Sequence, residues 1–182
     1  MRSYLLAFFC LFTLSGFAQD NSDKIYWEQD GLKWADFRGT INKDSKFDAN
    51  TNAGLSFAWG LRSENDVIEF TYDVSSYFNP LLSWVKPESD KAYLLKHEQL
   101  HFDITELHAR KLRKKLSEVN SISLSKDPKA IINRIYQEVE NERKNMQLQF
   151  DKDSKHSLDK EGEARWQNFV RAEMLKYEEK NI

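Results

Sequence analysis

The stretch His97-Glu98-Gln99-Leu100-His101 decides how this chain is interpreted, because it places an HExxH motif inside the apolar-periodic run Ala92–Leu116. A helix advances about 100° per residue, so His97 and His101 lie on one face, one turn apart, and both imidazoles can reach one metal ion. Glu98 lies beside them, where its carboxylate can hydrogen-bond a metal-bound water instead of binding the ion. The motif therefore predicts a zinc (Zn²⁺) site with His97 and His101 as ligands and Glu98 as the general base.

A zinc ion of this kind needs a third protein ligand, and helix geometry excludes the other candidates on the same run. At about 100° per residue, Asp103 and Glu106 point away from the two histidines, and Glu106 is expected to form an ordinary surface pair with Arg110. His108 lies on the right face but about 10 Å further along the axis, too far to share the ion. The third ligand must come from another segment. The candidates are His156, Glu138, Glu142 and Asp151.

Alternating apolar residues predict that strands precede the helices. In the segments 55–61 and 68–74, apolar side chains alternate with smaller or more polar ones, and Ser63-Glu64-Asn65-Asp66 between them can turn the chain. This pattern predicts an antiparallel hairpin with one face exposed to solvent. Shorter segments around 25–27 and 32–34 are expected to add one or two strands.

Three helices are expected after the hairpin. A proline, a serine and an aspartate within 87–90 mark the start of the first, whose apolar period continues to about Leu116. Asp127-Pro128 marks the second, with an N-cap residue followed by the proline favoured at the first helical position. The third is expected over about 159–177. The predicted fold is therefore α+β and zincin-like, with an antiparallel hairpin or sheet followed by three helices, the first carrying HExxH.

Several short motifs resemble one bacterial family. The segment 95–110 resembles the core of the family called domain of unknown function 922, whose members are described as secreted Zn-dependent proteases. Upstream, 32–39 and the pair Ala49/Thr51 resemble the family's L-x-W-x-D-F-x-G and A-x-T motifs. Downstream, 150–157 and then Trp166 are similar to its ending, Y-D-x-x-T-x-H-[GS] followed by W.

The resemblance implies which residue is the third ligand. The histidine of the family's ending falls on His156, so the resemblance implies that His156 completes a site with His97 and His101. Two positions depart from the family pattern, since Phe150 replaces its tyrosine and Ser154 its threonine. The histidine is kept, but a phenolic hydroxyl at position 150 is lost.

The first 18 residues have the pattern of a secretory signal peptide. Arg2 precedes the apolar run Tyr4–Leu14, and Ser15-Gly16-Phe17-Ala18 supplies small residues, so cleavage is expected after Ala18. The run is far shorter than the roughly 20 residues that span a bilayer. Cys10, the single cysteine, lies in this segment, so no disulfide or thiolate ligand is expected in the mature chain. The protein is expected to be secreted or periplasmic.

Composition favours one domain and indicates neither nucleic acid nor a membrane surface as its partner. Residues 19–182 contain no Gly/Ser/Pro-rich linker, so they are expected to form a single zincin-like domain. The formal net charge of the whole chain is only -2, which suggests neither nucleic acid nor an anionic membrane as a partner. The substrate is expected to be a peptide or protein in the cell envelope.

Together these patterns predict a secreted zinc-dependent metallopeptidase that hydrolyses peptide or amide bonds with a zinc-bound water and Glu98 as the base. Two other classes stay open. One is a noncatalytic envelope protein stabilised by zinc, for which four protein ligands would close the site. The other is a metal-free binding module that carries the motif by chance.

Overall fold

A computed structural model of the protein describes residues 23–64, 67–89, 91–120, 124 and 127–178. The expected signal peptide lies outside the described residues. The fold is α+β, with an antiparallel sheet followed by three helices, as the two sequence periods predicted. Within the described part, no helix is both long enough and apolar enough to cross a membrane.

Five strands in the described part form two sheets. They are β1 (Ile25–Tyr26), β2 (Ala49–Asn50), β3 (Ala53–Glu64), β4 (Val67–Phe78) and β5 (Trp84–Val85). β3 and β4 form the predicted antiparallel hairpin, with Ala53 opposite Phe78. β1 pairs with the other edge of β4, and β2 pairs with β5 in a separate two-stranded sheet. Of the one or two short strands expected around 25–27 and 32–34, the first forms as β1, whereas Trp34 belongs to a 3-10 turn, Trp34–Asp36.

The three helices follow the sheet in chain order. They are α1 (Ala92–Ser117), α2 (Pro128–Asp153) and α3 (Lys160–Lys176). The predicted N-cap of α2 is confirmed, since the Asp127 carboxylate accepts a hydrogen bond from the Ala130 N–H at 3.0 Å. Pro87 and Ser89 of the expected start signal belong to a 3-10 turn, Pro87–Ser89, Asp90 lies outside the described residues, and α1 begins only at Ala92.

Helix α1 is the centre of the molecule. It packs against β4 and the rest of the hairpin, against α2 and against α3. A helix with neighbours on several sides needs apolar residues over much of its circumference, and α1 has them. Its fully or almost fully buried apolar residues are Leu100, Phe102, Ile104, Leu107, Ala109, Leu112 and Leu116. The two motif histidines therefore lie on the most constrained element of the fold.

The expected ordinary surface pair of Glu106 with Arg110 is wrong, because Glu106 on α1 is buried under the sheet. Its Oε2 accepts a hydrogen bond from the Ser76 hydroxyl on β4 at 2.6 Å. Its Oε1 accepts from Arg110 and Arg113, both at 2.9 Å. Because a buried carboxylate depends on its donors, this cluster ties α1 to β4 and does more than a surface pair can.

The burial of His108, also on α1, is expected to make the protein less stable in acid. It is fully buried, its Nδ1–H donates to the Ile104 carbonyl at 2.7 Å, and its Nε2 has no hydrogen-bond partner among the described residues. Burial lowers the pKa of His108 from 6.5 to about 4. Below about pH 6.5 the His108 imidazole binds a proton in the unfolded chain but not in the folded protein. The contribution of His108 to the free energy of unfolding is therefore lost as the pH falls from about 6.5 through about 4.

The loss attributable to His108 should reach about 3 kcal/mol. Urea unfolding of metal-free protein between pH 4 and 7.5 would measure it. His108→Leu is expected to lower the absolute stability while flattening this part of the pH profile. An equally steep decline in His108→Leu would assign the acid sensitivity to other groups.

Candidate metal centre

Three donor side chains meet between α1 and α2. His97 and His101 extend from α1, and Asp151 extends from the last turn of α2. The Asp151 Oδ1 lies 3.4 Å from the His97 Nε2 and 3.2 Å from the His101 Nε2. Among the described residues, these three form the one group of metal-ligating side chains whose donor atoms all lie within 4.8 Å of one another. Helical spacing aligns the histidines, and the packing of α2 on α1 supplies the carboxylate.

The two distances from the Asp151 Oδ1 to the histidine Nε2 atoms fit a tetrahedral ion. A charged N–H···O hydrogen bond is usually about 2.7–2.9 Å long, shorter than either distance. Ligand atoms about 2.0–2.1 Å from a tetrahedral zinc ion lie about 3.3–3.4 Å from one another. Two imidazole nitrogens and a carboxylate oxygen form a donor set that suits zinc, although other divalent ions accept it as well. The donor set therefore fits a divalent metal ion, and three protein ligands would leave room for another group on it.

The other ring nitrogen of each histidine is held by a hydrogen-bond acceptor. The His97 Nδ1 lies 2.5 Å from the Glu163 Oε1, and the His101 Nδ1 lies 2.5 Å from the Gln147 Oε1. Gln147 is fixed in turn, because its amide nitrogen donates to the His101 carbonyl at 2.8 Å and to the Thr105 hydroxyl at 3.2 Å. Since both acceptors require an N–H, each ring is oriented with Nδ1 as the donor and Nε2 toward Asp151.

The Phe150 ring packs against both imidazoles. Its ring centroid lies 4.7 Å from that of His97 and 4.9 Å from that of His101. The side chain is fully buried, and Trp166 on α3 packs at 5.7 Å on it. Here, where the resembled family has tyrosine, the aromatic ring acts in packing and offers no hydroxyl to the site.

His156 lies at the rim of the site, outside the group of three. Its Nδ1 is 3.5 Å from the Asp151 Oδ1, its side chain is 44% exposed, and its ring packs 4.6 Å from that of Phe47. Lys155, His156 and Ser157 have φ values of 50°, 53° and 70°. This left-handed conformation costs non-glycine residues about 1–2 kcal/mol each. The role implied for His156 as a ligand stays a prediction, while Asp151 occupies the position next to both histidines.

The remaining sequence candidates lie away from the histidine pair. The half-exposed Glu142 lies 3.9 Å from Lys111, and Glu138 lies 3.5 Å from Lys115. Asp103 points away from the site, as the helix geometry predicted, and accepts a hydrogen bond from the Trp27 indole at 2.8 Å.

The three donors lie on the floor of a cleft of about 530 Å³. Glu98 lines it as well and is almost buried, at 4% exposure. Two further segments form walls of the cleft, one over 46–51, which includes β2, and one over 155–158, and the Phe47 and His156 rings connect them. Thr51 anchors the first wall to the floor, because its hydroxyl donates to the Glu98 carbonyl at 3.3 Å. The cleft gives a ligand access to the donors and to the Glu98 carboxylate.

Electrostatic coupling ties the three donors together. Burial alone would lower the pKa of His97, but the neighbouring carboxylates of Asp151, Glu163 and Glu98 outweigh it and raise that pKa to about 9. Burial would raise the pKa of Asp151, but the neighbouring imidazoles of His101 and His97 hold it well below its usual range. At neutral pH the metal-free site therefore holds a protonated His97 beside an ionised Asp151. A metal ion must displace that proton, so metal binding should weaken as the pH falls.

Comparison with known proteins connects this site to a family. The family described as "Bacterial protein of unknown function (DUF922)" matches residues 82–157. These residues belong to the DUF922 family. The DUF922 match contains all three donors and His156, whereas Glu163 lies beyond its end, and it confirms the resemblance drawn from the motifs in this part of the chain. Neither a curated protein nor a solved structure matches the chain.

The sequence analysis missed the two residues that hold the histidine rings. Gln147 lies four residues before Asp151 on α2, so both lie on one helix face, and this spacing was the available signal. Glu163 lies in the first turn of α3, where acidic residues are common because they complement the helix dipole. No sequence pattern distinguishes a buried acid there from an exposed one.

Proposed function

We propose that this DUF922 protein is a secreted or periplasmic zinc-dependent hydrolase of zincin type that cleaves peptide or other amide bonds. Its zinc ligands are His97, His101 and Asp151, and Glu98 is its general base. One observation carries the proposal: the Nε2 atoms of both histidines lie 3.2–3.4 Å from the Asp151 Oδ1 on the floor of an open cleft. Its substrate is a peptide or protein in the cell envelope.

In the proposed amide hydrolysis, the zinc ion and the side chains of the protein have separate roles. When bound, zinc acts as a Lewis acid toward a carbonyl and lowers the pKa of water toward about 7. Glu98 takes a proton from the attacking water as the water oxygen bonds to the carbonyl carbon. It then passes the proton to the amine nitrogen as the C–N bond breaks. Gln147 and Glu163 keep the two imidazoles oriented throughout.

A second candidate function rests on the position of His156. Its Nδ1 is 3.5 Å from the Asp151 Oδ1, so a small movement of its loop could supply a fourth protein ligand. A site closed by four protein ligands is typical of structural zinc. In that case the ion would join α1, α2 and the following loop without catalysis.

Metal content tests both candidates against a metal-free module. Protein from Gln19 onward is expected to bind about one zinc per chain and to melt at a higher temperature with zinc, because the donors meet only in the folded state. Elemental analysis and thermal unfolding would measure this. Protein that carries no zinc after purification without a chelator, and takes up none on titration, would exclude both candidates. Cleavage of a peptide library then distinguishes the hydrolase from the structural zinc protein.

A further inference from the structure

We propose that Glu163 is a positioning residue of the metal centre, which holds His97 with Nδ1 as the donor and presents Nε2 to the ion. The inference deepens the proposed function and rests on it, since it concerns the same metal. Glu163 lies on α3, a helix that contributes none of the three donors. Its Oε1 is 2.5 Å from the His97 Nδ1, and its side chain is 3% exposed.

The backbone next to Glu163 allows α3 to approach α2 closely. Asp159 caps α3 by accepting from the Gly162 N–H at 3.0 Å. A Cβ at Gly162 would lie 2.4 Å from the Asp153 carbonyl oxygen, so position 162 has no room for a side chain. The Trp166 indole adds a hydrogen bond to the Asp153 carboxylate at 3.2 Å. These contacts fix the first turn of α3 against the end of α2 that carries Asp151.

The charge of Glu163 points to a role beyond packing. Its Oε2 is buried and has no hydrogen-bond partner among the described residues, so the carboxylate is compensated mainly through its contact with His97. Burying an acid with so few donors is costly unless a positive charge nearby compensates it, and His97 with its metal ion would supply that charge. A carboxylate on the distal nitrogen of a ligating imidazole orients the ring and makes it a stronger base. His101 has the neutral Gln147 in the same position, so the charged support is specific to His97.

Zinc affinity tests the proposal. Glu163→Ala is expected to weaken zinc binding by about 10–100-fold and Glu163→Gln by about 10-fold, because glutamine retains an acceptor without the charge. Competition with a chromophoric chelator would measure both. Glu161→Gln, in the same turn but with a 92% exposed side chain, is the matched control and should bind zinc like the wild type.

The imidazole protons give a readout that a packing role would not change. In zinc-loaded wild-type protein labelled with ¹⁵N, we expect a downfield Nδ1–H resonance of His97 from the hydrogen bond to Glu163. The resonance should be retained with a shift in Glu163→Gln and lost or exchange-broadened in Glu163→Ala, with folding checked by the remaining amide spectrum. If Glu163→Ala does not fold, Glu163→Gln alone decides through its affinity and its shift.

The possible failures are distinguishable. If the Glu163 variants bind zinc as tightly as the wild type, or leave the His97 resonance unchanged, the positioning role is overturned while the proposed function stands. If the wild type itself binds no zinc, the proposed function fails and this inference fails with it.

Discussion

Glu98→Gln is expected to lower peptide hydrolysis by at least about a hundredfold while zinc content and melting temperature stay near their wild-type values. Glutamine has nearly the same shape as glutamate, so the buried position next to His97 should accept it. Glu98 is outside the group of three donors, so the metal should remain. The neutral amide, however, cannot take a proton from water. The measurements are kcat/KM on a peptide identified from a library, elemental analysis and thermal unfolding.

Glu118→Gln provides the surface control for this prediction. Glu118 follows α1 at its C-terminal end, and its side chain is 60% exposed and pairs with Lys114. The same chemical change there should leave hydrolysis and zinc content unaltered. A Glu98→Gln protein that cleaves as fast as the wild type would show that Glu98 is not the base. Loss of its zinc would show that the carboxylate contributes to metal binding.

Asp151→Ala is expected to weaken zinc binding by at least about a hundredfold, more than the loss of a supporting residue, because it leaves two histidines on one helix as the ligands. His156→Ala should retain most of the zinc, since His156 lies outside the group of donors within 4.8 Å of one another. Chelator competition measures both affinities. Glu142→Gln is the control on the same helix as Asp151, and its half-exposed side chain should be replaceable without effect.

The reverse result would change the ligand set. If His156→Ala loses zinc while Asp151→Ala keeps it, the motif resemblance identified the third ligand and the geometry around Asp151 did not. Loss in both variants would support a site closed by four protein ligands and favour the structural role over catalysis.

The long elements of the fold could be predicted because each repeats a period over many residues. Alternation marked both strands of the hairpin, and the apolar period together with the Asp127 cap marked the helices. β2 and β5 are each two residues long, too short for any period to appear. Their pairing depends on how distant parts of the chain fold together, which local patterns do not record.

The site could be predicted only as far as local geometry extends. Spacing on one helix brought His97 and His101 together, whereas the choice between Asp151 and His156 depends on how α2 and its following loop lie against α1. The burial of Glu106 and Glu163 could not be predicted either. Each occupies a helical position that is typical of exposed acids, and only the packing of β4 over Glu106 and of α1 over Glu163 makes them buried.

The cleft separates the parts of the protein that would carry chemistry from those that would select a substrate. Its donors and the residues that hold them come from three packed helices, so a substitution among them disturbs several contacts at once. Its walls, 46–51 and 155–158, lie at the surface and, apart from the two residues of β2, contain neither helix nor strand. Such segments tolerate exchange and insertion far better than a helical core does. Related proteins could therefore acquire different substrate preferences by altering these two walls while inheriting the same metal chemistry.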